Sequence, residues 1–300
     1  MVTNIRKTNN TGVFKGTCIQ QKGDRSMNQR ERLGYLVKAF IDDDPKYKSI
    51  DPHVSEDRQK ILLRSLMNVR MPAEMDSQTL RIQDEYLKQR AIDSGIVDLN
   101  ELKTIREEGS SIAAGEYISL WQGDITRLKV DAIVNAANNQ MLGCFIPMHA
   151  CIDNCIHSYA GIQLRNECAV KMRQLREIHG DDYVQPTGVP LLTKGYNLPA
   201  EHVIHVVGPV VYGKLHEKEK RELSDCYINV LNMCRDNGLK SVAFCCISTG
   251  VFHFPNETAA HIAVDTVCRW LDENPNEMER VIFNVFKDED KEYYRKQLLQ

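Results

Sequence analysis

The chain has 300 residues, with 38 Lys and Arg against 41 Asp and Glu, 42% hydrophobic residues and 26% charged ones. This is ordinary globular usage and excludes collagen-like, low-complexity and wholly disordered classes. A formal charge of −3 gives no basic excess of the kind that binds a nucleic-acid backbone. No apolar run approaches the ~18 residues of a membrane span, and the N-terminus lacks the continuous apolar stretch of a signal peptide. A cytoplasmic, soluble protein with neither a nucleic-acid nor a membrane partner is expected. The ten cysteines are then buried small hydrophobes, metal ligands or redox groups rather than a disulfide framework.

Residues 1–26 are polar and aperiodic and read as a flexible leader; Met27, just before the first helical pattern, is a candidate start. Residues 28–105 read as helices separated by breakers. Leu33, Leu36, Val37, Phe40 and Ile41 form one helical face, which ends at Asp42-Asp43-Asp44-Pro45. A second helix begins at Ser55 and stops near Pro72; a third begins at Ser77 and closes near Gly95. The stretch has no cluster of catalytic type and is expected to pack or dock.

From residue 117 the pattern changes. Residues 117–121, 132–135, 203–207, 242–246 and 281–286 are β-rich runs. Helical patterns at about 154–176, 219–236, 257–272 and 289–299 separate them. Strands alternating with helices predict a mostly parallel, covered sheet, so 117–300 is expected to be an α/β domain.

Four constellations carry chemistry. Cys144, His149 and Cys151 lie within eight residues, on a loop stiffened by Pro147. Two thiolates and an imidazole are ligands zinc prefers, and three protein ligands leave a fourth position open, as in catalytic sites. The alternative is chance clustering of buried cysteines. Asp153 and His157 follow, four apart on one helical face. Taken alone, Asp153 could be a helix N-cap complementing the dipole, and His157 a core-edge imidazole with one hydrogen bond. Their helix carries the apolar stripe Ile156, Ala160, Leu164, Cys168, Met172 and Leu175. The run Val242 to Pro255 is a strand followed by a loop centred on Gly250 and then a helix starting near Asn256, suited to phosphate although it matches no standard fingerprint. Cys245 and Cys246 read as buried strand residues. Gly123-Asp124-Ile125-Thr126 leads into a strand closed by Asn135-Ala136-Ala137-Asn138, a pocket edge whose amides suit sugar hydroxyls.

Together, Gly123 to Thr126, Asn135 to Asn138, Asp153 to His157 with Ala160-Gly161, His205-Val206-Val207-Gly208-Pro209 and Ile247 to Pro255 occur in macrodomain order. Over about residues 117–300 the chain resembles the hydrolytic macrodomains. A longer loop bearing Cys144, His149 and Cys151 replaces that group's usual Gly-rich loop. This resembles the zinc-containing microbial protein-ADP-ribose hydrolase branch, which also carries a helical N-terminal extension.

The resemblance implies a three-layer α/β/α macrodomain with a mixed, mostly parallel central sheet behind an all-helical extension. It implies adenine held by Asp124 and the backbone of Ile125, and the distal ribose held by Asn138. The diphosphate would be cradled by Ser248, Thr249, Gly250, Val251 and Phe252, and Phe254 would line the ribose pocket. Asp153, His157 and Asn138 would be catalytic, with Zn2+ on Cys144, His149 and Cys151. The implied activity is removal of mono-ADP-ribose from protein side chains; a non-catalytic ADP-ribose reader and an O-acetyl-ADP-ribose deacetylase are the competing expectations. The implied partners are ADP-ribose and a mono-ADP-ribosylated protein, with a sirtuin-modified lipoyl-carrier protein as one such substrate.

Overall fold

The computed structural model describes residues 27–299, so the expected leader at 1–26 lies outside the described residues. Three helices come first: α1 (Gln29–Asp42), α2 (Glu56–Val69) and α3 (Ser77–Asp93). Asn28 caps α1 through a reciprocal box with Glu31, satisfying two amides that the first turn leaves open. Asp76 caps α3 through the amide of Thr79, one residue before the start expected at Ser77. The apolar stripe of α1 is buried against Leu63, Leu66 and Met67 of α2 and Ile82 and Leu87 of α3, forming a small core of its own. Ile162, from the following domain, belongs to that core, so the helices are packed onto the rest of the chain.

The remaining elements, in order, are β1 (Val97–Asp98), β2 (Ile118–Gln122), β3 (Leu128–Lys129), β4 (Ala132–Ala136), α4 (Ile152–Ala160), α5 (Ile162–His179), β5 (Leu191–Lys194), β6 (His202–Val206), α6 (Glu217–Asp236), β7 (Ser241–Phe244), α7 (Asn256–Glu273), β8 (Arg280–Val285) and α8 (Asp288–Leu298). Six strands form one sheet in the order β2-β8-β7-β4-β6-β5, parallel except for β5 against β6. β1 and β3 make a separate parallel pair. Strands β4, β6, β7 and β8 are almost wholly buried, as parallel strands covered by helices must be. The sheet and its helices share one large core.

The sequence reading missed the short pair β1 and β3, of which β1 interrupts the stretch 28–105 expected to be all-helical, as well as an edge strand and a helix break. The antiparallel edge strand β5 is short and only half-buried along Leu191 and Leu192, so it lacks the apolar continuity of the others. The single helix expected over 154–176 is two helices, broken at Gly161 with φ +97°. There a Cβ would stand within about 3 Å of the side chains of Gln83, Gln163 and Asn197. Only glycine takes that φ cheaply, and the bend re-aims α5 while α4 stays aligned with the loop before it. Among the described residues, no helix is long and apolar enough to cross a membrane.

Candidate active site

The site lies past the C-terminal ends of the central strands, the usual ligand position in open α/β sheets. Asn135 of β4 and His205 of β6 are register partners. The Asn135 amide nitrogen donates to Asp153 Oδ1 at 2.8 Å and meets His205 Nδ1 at 3.0 Å. His205 Nε2 meets Thr193 Oγ1 at 3.0 Å. Asn135 is fully buried. Its expected role at a sugar hydroxyl is therefore corrected: it anchors Asp153 to the sheet. Asn138 donates to Asp153 Oδ2 at 3.3 Å and to the Gly143 carbonyl at 3.1 Å. Burial pushes the Asp153 carboxyl up to about 6, against the pull of these two donors and the charge of Arg165.

His157 stands one turn further along α4, its Nε2 3.5 Å from Asp153 Oδ1. The ring is 5% exposed, and neither nitrogen has a hydrogen-bond partner among the described residues. Burial, then the nearby His205 and Arg165, push its pKa well below the usual range, so the ring is neutral. Gly143, at φ +79°, lies against it; a Cβ there would approach the ring to 2.8 Å. An unpartnered buried imidazole costs free energy unless something binds to it.

The three candidate metal ligands converge. The ligand atoms of Cys144, His149 and Cys151 all lie within 4.8 Å of one another, with all three residues part-exposed. Cys144 Sγ and His149 Nδ1 are 3.6 Å apart, close to the ~3.5 Å separating sulfur and nitrogen on one tetrahedral zinc. Cys151 is the N-cap of α4, its sulfur accepting the Asn154 amide at 3.4 Å, and a helix N-terminus favours a thiolate. Without a metal, burial pushes the Cys151 thiol up to about 12. His149 is presented by a β-turn whose amide closes on the Ile146 carbonyl at 3.2 Å. Pro147 fixes the first central φ and Met148 takes φ +58°, the type II pattern that normally requires glycine or asparagine there. The donor set fits a three-ligand zinc with one side open.

A second trio, His157, Cys168 and His205, is equally close but wholly buried. Both nitrogens of His205 are engaged by Asn135 and Thr193, and burial pushes the Cys168 thiol up. Within that trio, His205 and Cys168 belong to the interior.

Beyond the end of β7, the segment from Ser248 to Phe254 is held by backbone bonds. The Phe254 amide donates to the Ser248 carbonyl at 3.0 Å, His253 to Gly250 at 3.1 Å, and Val211 to Phe252 at 2.9 Å. The amides of Thr249, Gly250, Val251 and Phe252 carry no backbone hydrogen bond among the described residues, which leaves a row of donors suited to an anion. Ser248 is buried at φ +66° with an unpartnered hydroxyl. Gly208 lies behind it, where a Cβ would fall 2.1 Å from Ser248 Oγ. Phe254 is 1% exposed inside the main core, so it backs the pocket. Phe252 is half-buried and packs beside Ala137 and Met141. Asp124 Oδ1 accepts from the amide and hydroxyl of Thr126, which fixes the turn before buried Ile125.

Residues that sequence reasoning missed surround the loop that carries Cys144, His149 and Cys151: Arg64, Asn68, Asn154 and Arg165. The one local signal was an arginine on the apolar side of α5, between Leu164 and Cys168.

Comparisons agree with this architecture. The Macro domain family model matches residues 134–263. A protein-ADP-ribose hydrolase of Treponema medium is 46% identical over 270 residues, covering 90% of this chain and 99% of that protein. One from Staphylococcus aureus (strain MSSA476) is 43% identical over 235 residues, covering 78% and 82%. Among solved structures, the Trypanosoma brucei macrodomain in complex with ADP-ribose superposes with a TM-score of 0.59 at 30% identity, covering 81% of this chain and 95% of that one.

Proposed function

The chain belongs to the macrodomain family, and on that premise we propose that it is a zinc-dependent protein-ADP-ribose hydrolase. Water adds across the bond between the distal ribose and a protein side chain; the ribose keeps the hydroxyl and the side chain regains its proton. The observation that carries this reading is the convergence of Cys144, His149 and Cys151 at the N-terminus of the helix that also presents Asp153 and His157. Relatives named protein-ADP-ribose hydrolase support the reaction class.

The chain's own groups divide the work. The free amides of Thr249 to Phe252 bind the diphosphate, and Asp124 with the Ile125 backbone holds the adenine. Asn138, rigidly held beside Asp153, contacts the distal ribose. Asp153 accepts a hydrogen bond from the ribose or the attacking water and orients it; Asn135 fixes the carboxylate from the sheet side. His157, neutral and unpartnered, supplies a hydrogen-bonding edge on the same side. Zinc on Cys144, His149 and Cys151, when bound, supplies a Lewis acid beside the ribose.

The substrate is a mono-ADP-ribosylated protein, and a lipoyl-carrier protein modified by a sirtuin is the first to assay. Metal analysis of the purified protein, paired with ADP-ribose release before and after chelation, tests the reading. About one zinc per chain, release lost on chelation and release restored by zinc are expected. Tight ADP-ribose binding with no release under any metal condition would make the protein a reader instead.

A further inference from the structure

Helix α2 lies outside the sheet domain, yet it reaches the metal loop with two side chains. Asn68, 1% exposed, accepts the Met148 amide on its Oδ1 at 3.0 Å and donates to Ser158 Oγ of α4 at 2.8 Å. Arg64 Nη2 donates to the His149 carbonyl at 3.0 Å and to Asn154 Oδ1 at 2.8 Å. Asn154, fully buried, uses its own amide nitrogen to hold the carbonyls of Ile146 at 2.9 Å and Cys144 at 3.3 Å.

These bonds fall on a conformationally costly turn of the loop. Met148 is a non-glycine residue at φ +58°, a strained conformation that persists only where its surroundings over-determine it. Asn68 holds the amide on one side of that strained residue, and Arg64 holds the carbonyl of the next residue, the candidate ligand His149. Arg165, 4% exposed, ties the same assembly from below. It donates to the Leu142 carbonyl at 2.7 Å and to the carbonyls of Met67, Asn68 and Arg70 at the end of α2, and it lies over the Phe145 ring. The end of α2 and the start of the metal loop thus share one buried guanidinium.

We infer that the helical extension is part of the metal centre: Arg64 and Asn68 are positioning residues that hold the Ile146–His149 turn in its strained form and so preset His149 toward Cys144 and Cys151. This rests on the zinc reading above. The extension's role in the site is to fix a ligand rather than to touch substrate.

The test uses the full chain with three readouts: zinc dissociation constant by chelator competition, amide hydrogen exchange of residues 144–149 in metal-free protein, and thermal midpoint. Arg64→Met keeps the stem but removes the donors; Arg64→Lys restores a cationic donor. Outer-shell partners of metal ligands are worth about 10- to 100-fold in affinity. Arg64→Met is expected to weaken zinc binding by that factor and to speed exchange at His149. Arg64→Lys should recover part of the affinity, while the midpoints of the two variants stay alike. Zinc affinity within about twofold of wild type in Arg64→Met would overturn the inference, as would unchanged exchange in the loop. Should wild-type protein bind no zinc, the metal reading fails by itself; the exchange measurement then judges the clamp separately.

Discussion

Two loops follow the C-terminal ends of the neighbouring parallel strands β4 and β7 and are built on opposite principles. The loop at 248–254 offers backbone amides and is fastened by its own backbone bonds. The loop at 142–151 offers side chains and is fastened by side chains from α2, α4 and α5, those of α2 80 and 85 residues away in sequence. A backbone cradle recognises an anion whatever side chains it carries. A side-chain cluster depends on every atom that aims it. On the proposed function, diphosphate binding and bond cleavage fall to separate loops, and substitutions that hit one are expected to spare the other.

The sharpest way to break that division is at Asp153. Asp153→Asn preserves shape but replaces an acceptor oxygen with a donor facing the amides of Asn135 and Asn138. We expect ADP-ribose release to fall by about 100-fold or more, while ADP-ribose affinity measured by calorimetry changes by less than about threefold. Equal losses in both would merge the two functions.

Gly208 probes the other loop. An added methyl meets Ser248 Oγ and Ile247 Cγ2, and overpacking of this kind costs about 1–3 kcal/mol. Gly208→Ala is expected to weaken ADP-ribose binding by about tenfold while leaving zinc affinity unchanged.

Acid should act on the scaffold beneath both loops. Burial depresses His205 to about 3 in the folded chain, against about 6.5 unfolded. Its contribution is fully present above pH 6.5 and is lost as pH falls through the window toward 3. At pH 5 the loss is about 2 kcal/mol for this residue. Denaturant unfolding of wild type and His205→Gln at pH 7 and pH 5 checks it; the variant should show the smaller decline. Least of all, Thr249→Ala should alter ADP-ribose affinity by under about threefold, because the backbone amide remains.

The same contrast explains what the sequence made legible. The strands announced themselves because β4, β6, β7 and β8 are short runs rich in apolar residues, and the helix stripe from Ile156 to Met172 is buried as its spacing implies. Cys144, His149 and Cys151 were readable because the three lie within eight residues. The clamp was not, because Arg64 and Asn68 look like ordinary polar positions on an amphipathic helix until the fold brings Met148 and His149 to them. Asn135 misled because an amide at a strand end suits a sugar as well as it suits a buried carboxylate. Only the pairing of β4 with β6 decides between them. The break at Gly161 was likewise hidden, since an apolar stripe runs through it without losing phase.

The central claim is that cleavage depends on the metal loop while binding does not, and Cys151→Ala tests it most directly. ADP-ribose release from a mono-ADP-ribosylated protein, zinc content and ADP-ribose calorimetry are measured on one preparation. The expected result is loss of zinc and of release with ADP-ribose affinity retained. Wild-type release from a folded, zinc-free Cys151→Ala protein would contradict the account.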